Sequence, residues 1–593
     1  MGTAVPLETP AFYDLKGDAF RGHKVPRRCQ MLSNLQHHYA LTHHHLSNIL
    51  DIEAMERSVV KTRKNATTVA VVGAGVSGLC AAKYLLAERA EKFPNEEYFK
   101  VTVFEQADQA GGIWNQTAAD DKFATPMYPA CKTNVPRTMM QYEGINYPAR
   151  TPLFPRNTVV KKYLQDYARE LEDRNIIQYN SEVTLVKYRT KDYNKKWQVN
   201  VKNPTTGRVE ETHWDAVVVA LGTFGRPDIP PMYKLNEDSP ITIMHSKMYR
   251  DAEVFRGKRV LIVGGGPSYW DTAQEISAVC EGEVLVSVRR PGVLRLSSGN
   301  QRQVPEVIYV SAESNTVLFR SGRTAQVDVI FLCTGYTYHF DMIPCLETTD
   351  DKKRVLNLYE HMIYINEDED PTAPPAGETK ALKAGRGANT LALVGLLTMD
   401  ATFLVAEAQS ALIARYFSGR WSLSVPAMQE ARALDHDRAE ASGRAGSRDY
   451  HILRYPHDAA YVDRLFGACL RAELPAGMGT GLTPSFHSAQ LHWVRGQIGR
   501  IRTRFLERAR GPDDGRYPTP ESLGFAYRAH PARAVQEDVM RELWGLMREK
   551  RGLWEQGADL QAWQCGWVAA MGRWQAWQAQ EAELASMLKS IEL

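Results

Sequence analysis

Two glycine-rich segments, residues 71–78 (VVGAGVSG) and 261–268 (LIVGGGPS), constrain the fold of this chain more than any other feature. Each follows an apolar run typical of a strand and precedes a run typical of a helix. In that context glycines let the backbone approach a pyrophosphate at the helix N-terminus. Two dinucleotide-binding domains are therefore predicted. The phosphate-side residues are Gly73, Gly75 and Gly78 in the first segment, and Gly264, Gly266 and Ser268 in the second.

The residue that ends the second strand of each domain indicates which dinucleotide it binds. In the first domain, residues 98–105 (YFKVTVFE) place Glu105 at the strand tip, where a carboxylate binds the ribose hydroxyls. In the second domain, residues 284–288 (VLVSV) lead into Arg289 and Arg290. Guanidinium groups suit a 2′-phosphate, which a carboxylate repels. We therefore predict FAD at the first site and NADPH at the second.

Length and composition exclude several classes of protein. A chain of 593 residues is too long for one core, so two or three domains are expected. The net charge of +3 favours neither a nucleic-acid partner nor an anionic membrane. No apolar run approaches the roughly 20 residues of a transmembrane helix. The eight cysteines form no CxxC pair, which argues against a dithiol flavoprotein and, without a secretory signal, predicts a cytoplasmic protein.

The order of predicted elements indicates an α/β protein with two Rossmann-like dinucleotide-binding domains, the NADPH domain being inserted in the FAD domain. Residues 215–222 (DAVVVALG) suit a strand buried on both faces of a parallel sheet, and residues 327–335 (VDVIFLCTG) repeat that pattern. These two runs are expected to lead the chain between the domains. The predicted bounds are 1–66 for an N-terminal extension, 67–235 and 326–440 for the FAD domain, 236–325 for the NADPH domain, and 441–593 for a mainly helical C-terminal region.

Both terminal regions have a biased composition. The leader contains His37, His38, His43, His44 and His45, which we interpret as a surface extension and not a metal site, because adjacent histidines rarely converge on one ion. Near the other end, tryptophans at 563, 567, 574 and 577 share one helical face. That face predicts core packing or self-association into a homodimer. A membrane-surface helix, with peripheral membrane association, is the less favoured alternative.

Further motifs follow one another in a characteristic order. They are residues 111–114 (GGIW), 133–137 (TNVPR), 244–249 (MHSKMY), 334–336 (TGY) and 395–409, which begins at Gly395 and ends at Gln409. Together with the two glycine segments and Glu105, they resemble the flavin-containing monooxygenase family over about residues 67–470. The residues of 244–249 are similar to the latter half of the family's identifying FxGxxxHxxxY/F motif.

The resemblance implies a small-molecule substrate, O2, and electrophilic oxygen carried on a flavin C4a-hydroperoxide, which oxygenates a soft nitrogen or sulfur atom. It also implies that the amide of Asn134 donates to that peroxide or to the retained nicotinamide, which makes Asn134 the candidate catalytic residue. The other residues that it implicates are Gly112, Trp114, Gly395 and Gln409 for FAD, and Ser246 and Tyr249 for NADPH. His245 is expected to brace the two domains and not to transfer protons.

Several positions depart from the family pattern and keep alternatives open. Leu221 replaces a threonine, Ile241 replaces a glycine of the identifying motif, and Tyr269 replaces the third glycine of the second segment. A large side chain at 269 is expected to crowd the helix against the strand and to weaken or alter nicotinamide binding. One alternative is Baeyer–Villiger oxygenation of a ketone, for which tryptophan is expected where Tyr249 stands. Another is an FAD- and NADP-binding protein with lost or uncoupled turnover.

Overall fold

The structure is a computed structural model of the chain. It describes residues 61–90, 93–189, 197–236, 238–289, 292, 296, 299–366, 390–397, 401–441, 443–444, 450–473, 480–508, 518–527, 531–556, 558 and 560–591. The histidine-rich segment that contains His37 and His45 lies outside the described residues, and so does the N-terminal extension up to residue 60.

The described strands all lie in the first two thirds of the chain. In chain order the strands are β1 (Lys61–Val72), β2 (Arg89–Ala90), β3 (Phe93–Phe104), β4 (Ile177–Gln178), β5 (Glu182–Tyr188), β6 (Trp197–Lys202), β7 (Val209–Trp214), β8 (Ala216–Val219), β9 (Arg226–Pro227), β10 (Thr242–His245), β11 (Val260–Val263), β12 (Val284–Ser287), β13 (Gln301–Val304), β14 (Val307–Ser311), β15 (Thr316–Phe319), β16 (Thr324–Gln326), β17 (Val329–Leu332), β18 (Tyr336–Thr337), β19 (Leu358–Tyr359), β20 (Ile363–Tyr364) and β21 (Leu391–Leu393).

The helices dominate the last third. They are α1 (Val76–Leu86), α2 (Asn157–Asp173), α3 (Pro267–Val279), α4 (Thr402–Ser418), α5 (Val425–Ala441), α6 (His457–Arg471), α7 (Ala489–Arg508), α8 (Pro531–Glu555) and α9 (Gln561–Ile591). The predicted fold class, α/β with a mainly helical C-terminal region, is confirmed.

The first sheet has eight strands in the order β19-β20-β21-β8-β1-β3-β2, with β4 beside β3. At its centre β21, β8, β1 and β3 run parallel. The side chains of β8 alternate between two cores: Val217 and Val219 pack with Trp197 of β6, whereas Ala216 and Val218 pack with Leu79 of α1. The strand is therefore buried on both faces, as predicted from residues 215–222.

The second sheet is parallel throughout, in the order β10-β17-β11-β12-β13. Its faces are covered by α3 on one side, where Ile262 and Phe331 pack with Ile276, and by β14 and β15 on the other. The strand β17 lies between β10 and β11, although the predicted boundary after residue 325 assigned it to the first domain. That boundary falls too early, because β17 completes the second sheet before the chain returns.

The two crossings between the sheets pair with each other. After β8 the chain forms β9, and after β17 it forms β18, and these short strands are antiparallel partners. The carbonyl of Asp228 beside β9 accepts a hydrogen bond of 2.5 Å from the hydroxyl of Thr334. The runs 215–222 and 327–335 thus lead into a shared two-stranded connection between the sheets.

The tryptophan face packs within the chain. Trp563, Trp567 and Trp574 of α9 are buried against Phe466 of α6 and Leu543 of α8. Of the alternatives for this face, the structure shows core packing. A homodimer stays a prediction.

Five buried charges join the first sheet to the C-terminal helices. Arg420, which follows α4, donates to Glu88 after α1 and, at 2.9 Å, to Glu473 after α6. Glu473 also accepts from Arg415 of α4 and from Lys550 of α8, each at 3.0 Å. All five side chains are at most 4% exposed. Burial raises the pKa of Glu473, but its three cationic partners outweigh this and hold that pKa well below its usual range.

A buried acid on α4 stands in contrast to this cluster. Glu407 accepts hydrogen bonds of 3.0 and 3.1 Å from the backbone N–H of Glu143 and one of 3.4 Å from the hydroxyl of Tyr84. Burial raises its pKa to about 8, although the hydrogen bonds from Glu143 oppose the shift. The folded protein therefore holds Glu407 protonated at neutral pH, whereas the unfolded chain ionises it.

We expect this buried acid to make the stability of the protein fall as the pH rises. A raised pKa contributes stability that is complete below the unfolded-state value of 4.5 and is lost as pH rises towards about 8. Glu407→Gln keeps the shape of the side chain and removes its ionisable carboxyl group. The melting temperature of the variant minus that of wild type should therefore increase as the pH rises from about 5 to about 8.5. Glu430→Gln, at an exposed position on α5, is the control. A difference that stays constant with pH would show that Glu407 is ionised in the folded protein.

Candidate functional site

The carboxyl ends of both parallel sheets open on one cavity of about 2820 Å³. Val72 at the end of β1 and Gly73 just after it line the cavity. Val263 at the end of β11 and Gly264 just after it do the same in the second sheet. Ligands of open α/β sheets bind at this edge of the strands. The two glycine segments therefore share one cavity.

The first glycine segment is shaped by close backbone contacts. Gly73 has a φ of +105°, and a Cβ there would lie 2.7 Å from the carbonyl oxygen of Ala220. A Cβ on Gly78 would lie 1.8 Å from the oxygen of Gly73, so Gly78 permits helix–strand packing and does not line the cavity. Gly75 lines the cavity as the N-cap of α1. The backbone N–H groups at the start of α1 are thus available to a phosphate.

Glu105 follows β3 and lies on the cavity wall. Its carboxylate accepts hydrogen bonds from the backbone N–H of Ala74, at 2.6 Å, and of Ala107, at 2.9 Å. Burial raises the pKa of Glu105, and these two hydrogen bonds partly offset the increase. The predicted ribose-binding carboxylate is therefore tied directly to the backbone of the first glycine segment.

The second group of predicted flavin residues divides into lining and supporting positions. Gly112, Trp114 and Gly395 line the cavity. Gln409 does not: it is fully buried on α4, and its amide accepts from the N–H of Gly395 and donates to the hydroxyl of Tyr461, both at 2.9 Å. The side chain of Gln409 thus lies behind Gly395 and holds its loop, and a direct contact of Gln409 with the cofactor stays a prediction.

The second glycine segment repeats the close approach of the first. A Cβ on Gly264, whose φ is +108°, would lie 2.4 Å from the carbonyl oxygen of Cys333. Gly266 is the N-cap of α3, and nothing lies within 4 Å of its Cβ position. Gly264, Gly266 and Ser268 all line the cavity. The start of α3 thus leaves space where a pyrophosphate would lie.

Tyr269 is accommodated without entering the cavity. Its ring is fully buried in the core between α3 and the second sheet, and its hydroxyl donates at 2.6 Å to the side chain of Gln301 on β13. The expected crowding is avoided because the ring extends towards β13. An altered affinity for nicotinamide stays a prediction.

The basic pair after β12 is only partly described. Arg289 is exposed and lines the cavity. Arg290 lies outside the described residues. Among the described residues, Arg289 places a guanidinium at the predicted 2′-phosphate position.

The residues after β10 have different roles from one another. Ser246 lines the cavity, but Tyr249 does not: its ring is fully buried, and its hydroxyl donates at 2.5 Å to Glu275 of α3. Tyr249 therefore packs against α3, and its contact with NADPH stays a prediction. His245 accepts at Nδ1 from the N–H of Lys247, and its Nε2 donates at 3.0 Å to the carbonyl of Gly335. Burial lowers the pKa of His245 to about 4, against the opposing hydrogen bond to Gly335, so the ring is neutral at neutral pH.

Asn134 lies on the cavity wall between the two sheets. Its Nδ2 donates at 3.3 Å to Oδ2 of Asp271 on α3, and its Oδ1 is buried without a hydrogen-bond partner among the described residues. A buried carbonyl oxygen of this kind costs about 1–3 kcal/mol when no donor reaches it. The amide oxygen is therefore suited to accept a hydrogen bond from a ligand. One N–H of Nδ2 is occupied by Asp271, so the predicted donation to the peroxide or to the nicotinamide would use the second N–H and stays a prediction.

Sequence reasoning missed three contributions to the cavity. Asp271 has no signal beyond its place near the start of α3. Residues 452–455 and Arg495 line the cavity from the C-terminal region, where composition predicted only helices. Arg502 of α7 donates to Asp271 at 2.8 Å. No local pattern marks these residues, since their partners lie far away in sequence.

The cavity wall fits two dinucleotides. Two helix N-termini with glycine caps face it, and a Cβ on Gly112 would lie 2.9 Å from the Cα of Gly75. Only glycine allows such an approach, which is typical of a phosphate cradle. In the described part of the chain, no three His, Cys, Asp or Glu side chains are grouped to hold a metal ion. Nor does any helix described there combine the length and apolar character needed to cross a membrane.

Comparisons with known proteins point to one family. Residues 66–311 match the family model described as flavin-binding monooxygenase-like. The flavin-containing monooxygenase FMO GS-OX5 of Arabidopsis thaliana is 30% identical over 410 residues, which cover 65% of this chain and 81% of that protein. Senecionine N-oxygenase of Tyria jacobaeae is 29% identical over 325 residues, covering 52% of this chain and 67% of that protein.

Solved structures share the fold. S-allyl-L-cysteine S-oxygenase from Allium sativum superposes with a TM-score of 0.60 at 24% identity, covering 77% of this chain and 97% of that one. Tmm from Pelagibacter superposes with a TM-score of 0.58 at 20% identity, covering 74% of this chain and 91% of that one. The fold of this chain therefore recurs in both of these structures.

The two glycine segments allow a prediction that separates the two dinucleotide sites. Gly264→Ala places a Cβ against the oxygen of Cys333, so we expect at least about tenfold weaker NADPH binding while the fraction of protein carrying FAD stays unchanged. Gly257→Ala is the matched control, because φ is also positive at +63° but nothing lies within 4 Å. Titration calorimetry and the flavin absorbance measure both quantities. Equal losses in the two variants would show that backbone strain alone, and not the contact with Cys333, limits the site.

Proposed function

Because this chain belongs to the flavin-containing monooxygenase family, we propose that it uses FAD, NADPH and O2 to oxygenate a soft nitrogen or sulfur atom of a small molecule. The observation that carries this proposal is that both glycine segments line a single cavity, with Asn134 on the wall between them. A hydride donor and a flavin bound at the two segments would meet in that space. Such proximity is the condition for hydride transfer between them.

FAD is the dinucleotide that the first segment suits. Glu105 presents a carboxylate beside the backbone of Ala74, at the position that binds ribose hydroxyls. The N-cap Gly75 and the neighbouring Gly112 leave room for a pyrophosphate at the start of α1. Gly395, held by Gln409, contributes a further stretch of backbone to the same wall.

NADPH is the dinucleotide that the second segment suits. Gly266 and Ser268 line the cavity at the start of α3, where a pyrophosphate is stabilised by the helix dipole. Arg289 lines the cavity just after β12, and its guanidinium suits a 2′-phosphate. Arg290 is proposed to act with it on sequence grounds.

In this chemistry NADPH supplies the hydride that reduces the flavin, and the reduced flavin activates oxygen. The protein contributes binding, orientation and shielding. Asn134 orients a ligand through its buried Oδ1, while its Nδ2 is held by Asp271. His245 does not move protons at neutral pH, because its ring is neutral and the proton on Nε2 is donated in a hydrogen bond to the carbonyl of Gly335. Its role is to fix the strand end that leads from β17 to β18.

The compartment and the substrate class are also proposals. The seven described cysteines are unbridged, which supports a reducing compartment such as the cytoplasm. The name of the relative senecionine N-oxygenase supports oxygenation at nitrogen, and the name of FMO GS-OX5 supports a flavin-containing monooxygenase. Tyr249, at the position where a Baeyer–Villiger enzyme is expected to carry tryptophan, supports the same choice.

The proposal is tested with the purified full-length protein. We expect yellow protein whose flavin absorbance bleaches on anaerobic addition of NADPH. In air, NADPH oxidation should then yield an N-oxide from N,N-dimethylaniline or a sulfoxide from thioanisole, measured by mass spectrometry. Conversion of cyclohexanone to its lactone without either product would replace the proposal by Baeyer–Villiger oxygenation. A flavin that NADPH does not reduce would leave a binding protein.

Asn134→Ala is expected to separate flavin reduction from oxygen transfer. Removing the amide takes away about one hydrogen bond at the cavity wall, so the fraction of NADPH recovered as hydrogen peroxide should rise at least about threefold. The rate of anaerobic flavin reduction should stay within about twofold of wild type. Asn146→Ala, at an exposed position whose amide pairs with Gln141, is the control. Unchanged peroxide release would remove Asn134 from the proposed site.

A further inference from the structure

We propose that Arg502 of α7 is a positioning residue for the cavity: it fixes the carboxylate of Asp271 and, through it, the amide of Asn134. This inference rests on the proposed function, because it assigns a purpose to Asn134. The family model matches residues 66–311, so Arg502 belongs to a part of the chain that this match does not reach. The C-terminal region would thereby contribute directly to the site.

One carboxylate serves both partners. Arg502 donates to Oδ1 of Asp271 at 2.8 Å, and Nδ2 of Asn134 donates to Oδ2 at 3.3 Å. With each carboxylate oxygen committed, the N–H end of the amide points to Asp271 and its Oδ1 is directed away from it. An amide free to rotate would present either end to the cavity. The pair therefore selects one orientation.

The helix that carries Arg502 is held independently of this ion pair. Ile501 and Phe505 are buried in the same core as Leu79 of α1 and Val218 of β8. The rings of Phe505 and Phe154 lie 4.9 Å apart. The residue after Phe154, Pro155, accepts at 2.9 Å from the N–H of Thr133, which precedes Asn134. Consequently α7 contacts both the segment that supports the loop of Asn134 and, through Arg502, the helix of Asp271.

The charges around Asp271 make a cation necessary. Burial raises the pKa of Asp271, the neighbouring carboxylate of Glu275 raises it further, and Arg502 lowers it. Within the described part of the chain, Tyr128, Cys131 and Cys333 also interact with Asp271, and none of these three side chains carries a positive charge. Arg502 therefore favours the ionised carboxylate, which can only accept hydrogen bonds. A protonated Asp271 would be able to donate to Oδ1 of Asn134 and reverse the amide.

This ion pair differs from the surface pairs on the same helix. The side chains of Arg502 and Asp271 are 28% and 14% exposed, whereas those of Arg504 and Glu507 are 67% and 53% exposed. Exposed pairs contribute little, because water and salt screen them. Arg504 thus offers a matched control two residues away, with its own carboxylate partner.

The test measures NADP+ binding to the FAD-loaded protein by titration calorimetry, so that it does not depend on turnover. Arg502→Met keeps the unbranched side chain and removes the charge, and we expect the NADP+ dissociation constant to rise at least about fivefold, as for the loss of one hydrogen bond. Arg502→Lys should recover part of the affinity. Arg504→Met should stay within about twofold of wild type.

Two further measurements distinguish positioning from general damage. In a protein that already carries Asn134→Ala, Arg502→Met should have no additional effect on NADP+ affinity, because the two residues act through one contact chain. The loss caused by Arg502→Met should also grow as the pH falls, because Asp271 without its cationic partner is protonated more readily than in wild type. Should Arg502→Met fail to fold, Asp271→Asn applies the same test from the other side of the pair.

The outcomes separate the two proposals. A wild-type protein that holds no FAD or binds no NADP+ overturns the proposed function itself. If wild type binds both and Arg502→Met behaves like Arg504→Met, only the positioning role is overturned. Additive effects of Arg502→Met and Asn134→Ala would likewise overturn it, since they would show that Arg502 acts on the cavity by another route.

Discussion

The buried charge cluster around Glu473 is the constraint on which the C-terminal half of the structure depends. Removing charges from water costs several kcal/mol per ion, so such a cluster is stable only when each member meets its partners. Glu88 beside the first sheet and Lys550 of α8 therefore fix where the last helices lie. The N–H of Ala489 at the start of α7 in turn donates at 2.8 Å to Glu537 of α8. The position of α7, and hence of Arg502, follows from interactions distant from the cavity.

The parts of the fold that were predictable are those with a local cause. Strands β8 and β17 are uninterrupted apolar runs because both faces of a parallel strand are buried. Gly73 and Gly264 were identified because a positive φ beside a neighbouring carbonyl excludes other side chains. Glu105 was identified because the tip of a strand has a fixed place relative to the preceding helix. In each case a local sequence pattern marks the residue, even where the atom that it approaches, such as the carbonyl oxygen of Ala220 or Cys333, lies far away in the chain.

The parts that were not predictable depend on partners far away in sequence. Tyr249 was assigned to the nucleotide, but its hydroxyl finds Glu275, and Gln409 was assigned to the flavin, but its amide holds Gly395. Tyr269 was expected to disturb the helix–strand contact, yet Gln301 gives its hydroxyl a partner within the core. A motif can indicate that a residue matters near a site. It does not state whether the side chain touches the ligand or the backbone behind it.

The spacing of Asn134, Asp271 and Arg502 along the chain has a consequence for the order in which the molecule assembles. Asp271 follows Asn134 by 137 residues and precedes Arg502 by 231. At a synthesis rate of about 5–20 residues per second, the last of these intervals takes roughly 10 to 50 seconds. During that time the second sheet can form on the ribosome with Asp271 already in place but α7 not yet made. The cavity is therefore among the last regions of the nascent chain to be completed.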